Sequence, residues 1–152
     1  MDTRKWTQGE IRARAYLSRI YRMEREVNWK REQIAALGEM ATSATARLGG
    51  MPRSDSPDLQ RMETLVCRIA DLKRELKADE SALEAARVDT ALMILKIPGE
   101  RCQRLLTERY LQSRSWKEIA DALGYSLSHT FRLHEDALCR MEALLAKEGV
   151  KP

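Results

Sequence analysis

Within the run GYSLSHTFRLHED, Arg132 stands four residues after Ser128 and three after His129. That spacing brings side chains together on one side of a helix. An arginine there presents a rigid fork of donors that matches two adjacent acceptors, and serine and histidine add shorter hydrogen-bonding groups. This is the chemistry of base-edge recognition. Arg132 would pair with guanine, and Ser128 and His129 would reach base edges or phosphate. Leu127 and Phe131 share the same helix and could touch thymine methyls or pack locally. Arg114 and Lys117 stand where phosphates would be held, with Arg109 and Arg140 as further phosphate candidates. Each of these cations is equally at home as a solvated surface charge.

Such side chains work only from a helix held at a fixed angle to its neighbour. Apolar residues at Trp116, Ile119, Ala120, Leu123, Tyr125, Thr130 and Leu133 flank Gly124. Ala120 is small enough for two helices to touch, Gly124 tolerates the positive φ of a tight turn, and Ser126 can cap the helix that follows. Ser115 with Glu118 three residues on reads as a capping box. The pattern predicts helices over roughly 100–112, 115–123 and 127–147. Leu105, Leu106 and Tyr110 enter their core, and Thr130, Leu133, Ala137, Met141 and Leu144 or Leu145 form the inner face of the last one. Leu127, Ser128, His129, Phe131, Arg132 and Glu135 form its outer face.

Upstream, apolar residues follow a heptad seam. One runs Tyr16, Ile20, Met23, Val27, Lys30, Ile34, Leu37 and Ala41. A second runs Met62, Leu65, Ile69, Leu72, Leu76, Asp79, Leu83, Ala86, Thr90, Met93 and Ile97. Both keep the alternating three- and four-residue spacing of a coiled-coil face. Between them TSATARLGGMPRSDSP, residues 42–57, is read as a loop, and Pro57 with Asp58 after it, or with Asp55 and Ser56 before it, as a helix start. Two seams joined by one loop predict an antiparallel hairpin. On this reading the second helix is the longer, so part of its seam lacks an intrachain partner and invites dimerisation. Lys30 and Asp79 interrupt the seams, either to set register or to snorkel. Pro98 ends the second helix. The expected fold is all-α: a long antiparallel helical hairpin (coiled coil) over 10–97, then a three-helix helix-turn-helix head over 98–150.

Composition agrees with long solvated helices: 33% of the residues are charged and 5% aromatic. No apolar run is long enough to span a membrane, and MDTRKWTQGE lacks the apolar core of a secretory signal. A bacterial cytoplasmic location is the expectation. Cys67, Cys102 and Cys139 are scattered, and His129 and His134 lie five apart, so neither a metal site nor a cofactor is expected. No arrangement of nucleophile, base and acid suggests an enzyme. Net charge is +4, but its excess lies near the N-terminus. Residues 98–152 hold nine Lys and Arg against eight Asp and Glu. A nearly neutral head binds phosphate weakly on its own, so dimerisation or the basic first helix must contribute.

The run RYLQSRSWKEIADALGYSLSHTFRLHEDAL resembles the carboxyl-terminal head of small phage-encoded transcriptional regulators of the sigma-70 region 4-like class, including relatives of the ArpU and RinA late-gene activators. Residues 116–120, Gly124-Tyr125-Ser126, His129 and Arg132-Leu133-His134 carry the likeness. The preceding hairpin resembles a domain of unknown function encoded in prophages. The resemblance spans about residues 15–145. It implies binding to double-stranded DNA, transcription regulation in a phage or mobile-element setting, a homodimer formed through the hairpin, and a protein-docking alternative in which RNA polymerase is the partner. The chain departs from that pattern with Leu127 and Ser128 where relatives carry basic residues, and with Thr130 at an inner aliphatic position.

Overall fold

The computed structural model describes residues 8–47 and 56–150. Among them every regular element is helical. The order is α1 (Gln8–Arg47), α2 (Pro57–Lys96), α3 (Glu100–Leu106), a π-helical turn (Thr107–Leu111), α4 (Trp116–Leu123) and α5 (Leu127–Glu148).

The start of α2 follows its local chemistry. Pro57 occupies the first helical position, where its missing N–H costs nothing, and Ser56 Oγ accepts a hydrogen bond from the Leu59 N–H at 3.1 Å. At the other end Pro98 and Gly99, with φ 93° at the glycine, turn the chain into α3.

The structure corrects the expected loop at 42–57. Helix α1 continues through TSATAR to Arg47, while residues 48–55 lie outside the described residues. Small size alone does not break a helix. The Thr42 and Thr45 hydroxyls donate to the Gly38 and Ala41 carbonyls at 2.9 and 2.8 Å, so their polar groups are satisfied inside the helix. As a result α1 and α2 are each 40 residues long. The expected surplus of second-helix seam disappears, and with it that argument for dimerisation.

Two compact units emerge. One spans Met23–Leu83. In it Ala36, Met40 and Ala44 share a groove with Met62 and Leu65, while Lys30 pairs with Asp79, so the two helix segments run antiparallel. Every expected seam position is buried or half-buried. Within this unit Val27 and Leu72 are the most enclosed, each 2% exposed. Lys30 also lies 3.8 Å from Glu75, and Arg31 reaches Glu80 at 2.8 Å. The two polar interruptions of the seams therefore face one another, and the Asp79 carboxylate holds the Lys30 pKa above its ordinary value.

The other unit joins the chain up to Arg22 with everything from Glu84 onward. Packing thus runs across the Pro98 break. Ala13, Tyr16 and Leu17 of α1 and Met93, Ile94 and Ile97 of α2 share one core with Leu105, Leu106, Tyr110, Ile119, Ala137, Leu138, Met141 and Leu145. Arg19 donates to the Ala86 carbonyl, and Arg12 pairs with Glu142. Each fully buried Leu or Ile stabilises the fold by roughly 1.5–3 kcal/mol. The long-helix ends are therefore structural members of the head.

Candidate functional site

Helix α4 opens as its sequence requires. Ser115 Oγ accepts from the Glu118 N–H at 3.2 Å, and the Glu118 carboxylate accepts from the Ser115 N–H at 3.1 Å. This reciprocal cap satisfies two N–H groups that the helix cannot. Helix α4 ends at Gly124, with φ 69° and ψ 32°, and the Tyr125 N–H donates back to Ala120 O at 3.0 Å. A Cβ on Gly124 would meet open space, so the backbone angle rather than crowding demands glycine. Two residues later Ser126 Oγ accepts from the His129 N–H at 3.1 Å and starts α5. The Thr130 hydroxyl donates to Ser126 O at 2.9 Å while its side chain is fully buried. A threonine thus serves at the inner position because the turn itself accepts its polar group.

This junction aims one face of α5 outward. Leu127, Ser128, His129, Phe131 and Arg132 are exposed, and Glu135 is half-buried. Ser128 and Arg132 lie one turn apart beside the row of Leu127 and Phe131. His129 is drawn back against Tyr125, its ring stacked at 4.0 Å, and Arg101 reaches the Tyr125 hydroxyl. Nothing in the sequence marked Arg101 as part of this turn.

The four phosphate candidates separate. Lys117 is exposed at the start of α4, and among the described residues no ion pair engages it. Arg114 is exposed but lies 3.8 Å from the Glu108 carboxylate. Arg109 lies over the Trp116 ring at 4.5 Å and donates to Arg114 O at 3.0 Å. Arg140 lies two turns farther along α5, where it donates to Pro98 O at 2.6 Å and pairs with Asp136 at 3.0 Å. That guanidinium packs against Gly99, whose φ of 93° is what calls for glycine there. Arg109 and Arg140 thus hold the head together, and Lys117 and Arg132 face solvent.

Two buried polar residues complete the support. Glu108, 7% exposed within the π-helical turn, accepts from Arg104 at 3.1 Å. His134 is 5% exposed and shares a hydrogen bond with the Tyr110 hydroxyl at 2.8 Å. Burial, reinforced by Arg14 and Arg109, pushes the His134 pKa down to about 4, and burial pushes Tyr110 up to about 12. Rings form a ladder from core to surface: Tyr21 on Tyr110 at 5.8 Å, Tyr110 on His134 at 5.9 Å, His134 on Trp116 at 4.6 Å and Trp116 on Phe131 at 5.2 Å. His134 continues the inner spacing of Thr130, Ala137 and Met141, a signal the sequence did contain. Leu138, fully buried, extends the same face, while Leu133 is only half-buried.

Among the described residues no cluster of His, Cys, Asp and Glu could hold a metal ion, and no helix is long and apolar enough to cross a membrane. Comparison with known protein families, with curated proteins and with solved structures finds no match to this chain.

Proposed function

We propose that this chain is a sequence-specific DNA-binding transcriptional regulator of phage or mobile-element genes, with α4, the Gly124 turn and α5 acting as a helix-turn-helix. The observation that carries the reading is the outward face of α5. It is polar at Ser128 and Arg132, free of acidic residues in its first turn, and fixed by the Gly124 and Ser126 junction. A helix presented this way enters a major groove with its N-terminal residues on base edges. Ser128, His129 and Arg132 read bases, and Lys117 and Arg114 hold phosphates. Arg109 and Arg140 contribute by supporting the head.

The near-neutral head favours action as a dimer, since two heads on one duplex double the phosphate contacts. Exposed Trp29, Met40 and Val66 on the hairpin offer apolar surface for that pairing. Near neutrality also favours a second reading, in which the head docks on RNA polymerase or another factor without reading DNA.

Gel-shift titration across a salt series separates the two. Steep loss of affinity with salt, together with a sequence preference, supports DNA reading. Arg132→Ala should weaken binding to the preferred duplex by about 1–3 kcal/mol and relax the choice of base at one position. An unchanged footprint for this variant removes Arg132 from the interface. Absence of any shift at low salt favours the docking reading.

A further inference from the structure

Leu127 and Phe131 are the anomaly of the α5 face. They are 47% and 44% exposed, one turn apart, beside Ser128 and Arg132. Phe131 is also held in place. Its ring meets Trp116 edge-on at 5.2 Å, Trp116 meets buried His134 at 4.6 Å, and the Arg109 guanidinium lies over Trp116. The ladder is anchored in the core by the His134–Tyr110 hydrogen bond. An apolar ring fixed at the surface loses little freedom when it makes a contact.

The patch is small. Half-exposed Leu and Phe side chains together offer on the order of 200 Å², against roughly 800 Å² per partner in a specific protein–protein interface. Its nearest cations are Arg132, beside it on α5, and Lys117, which follows Trp116 on α4, while the acidic Glu135 one turn after Phe131 is half-buried and partnered. The major groove offers one apolar group of matching size, the thymine 5-methyl, and phenylalanine is among the side chains that contact it.

We propose that Leu127 and Phe131 form a methyl-reading site that selects thymine in double-stranded DNA next to the base contacted by Arg132. This rests on the DNA-binding reading and adds to it a base identity and its recognising atoms. It also accounts for the absence of basic residues at 127 and 128, since the first turn of α5 then serves discrimination rather than phosphate affinity.

The test removes only the methyl group. Duplexes enriched by the full chain from a randomised pool are resynthesised with deoxyuridine replacing each thymidine in turn. Wild type should bind about fourfold more weakly for one buried methyl lost, at one or two adjacent positions. Phe131→Ala or Leu127→Ala should bind more weakly overall and become indifferent to deoxyuridine there, whereas Arg132→Ala should keep the penalty. Phe131→Leu, with helicity checked by circular dichroism, should retain part of it. Equal wild-type binding to thymidine and deoxyuridine duplexes overturns the proposal and leaves the DNA-binding reading standing. Failure to retain any duplex at low salt overturns both. A change in sedimentation of Phe131→Ala with the deoxyuridine penalty intact assigns the pair to a protein contact and overturns the proposal.

Discussion

His134 shows how one residue can serve a site without facing it. It closes the hydrogen bond to Tyr110 and passes rigidity to Trp116 and Phe131. The price of that placement is acid sensitivity. Its folded pKa, pushed down to about 4, lies below the ordinary value of 6.5. The unfolded chain therefore takes up a proton first as pH falls. Stability is complete above about pH 6.5, declines between there and about pH 4, and the loss reaches up to about 3 kcal/mol. Thermal melts of wild type should fall across that window, and His134→Gln should flatten this part of the curve. A wild-type midpoint unchanged between pH 7 and pH 4.5 would show that His134 is not held neutral in the core. The inner face read from the sequence held Leu133 rather than His134, and the partners of His134 come from α4 and the π-helical turn, which no local pattern names.

At the scale of elements, the α4–α5 junction was legible almost atom by atom. Ser115, Glu118, Gly124 and Ser126 each perform the local task that their residue type suggests, because caps and tight turns are decided within a few residues. Gly124 at φ 69° and Ser113 at φ 54° give opposite predictions from one rule. Gly124→Ala should cost about 1–2 kcal/mol through backbone strain alone, since its Cβ would meet open space. Ser113→Gly should move stability the other way. Chemical denaturation of both variants checks the pair, and a neutral Gly124→Ala would show that the turn relaxes. The end of α1 was less legible. TSATAR carries the small residues of a loop and the backbone of a helix, in which the threonine hydroxyls bond back to preceding carbonyls. Lys30 and Asp79 interrupt two separate seams, and their ion pair becomes visible only once the helices are side by side.

At the scale of the molecule, the head is not an independent bundle. Its core takes Ala13, Tyr16 and Leu17 from one long helix and Met93, Ile94 and Ile97 from the other. A fragment of residues 98–152 should therefore lose cooperative unfolding, whereas a chain retaining both long helices keeps it. Circular dichroism melts of the two decide this, and a sharp transition in the short fragment would show that the head closes its own core.

The sequence by itself determined the helices, both seams and the turn that aims α5, because periodicity, caps and a left-handed glycine act over a turn or two of chain. It also marked the candidate cations. Which of them remain outward was decided by tertiary structure. Arg109 and Arg140 are held by Trp116, Pro98 and Asp136, while Lys117 and Arg132 stay exposed. A guanidinium goes to whichever acceptor or ring the fold brings within reach: Asp136 lies one turn before Arg140 on the same helix, whereas Pro98 reaches Arg140 only through the packing of distant segments.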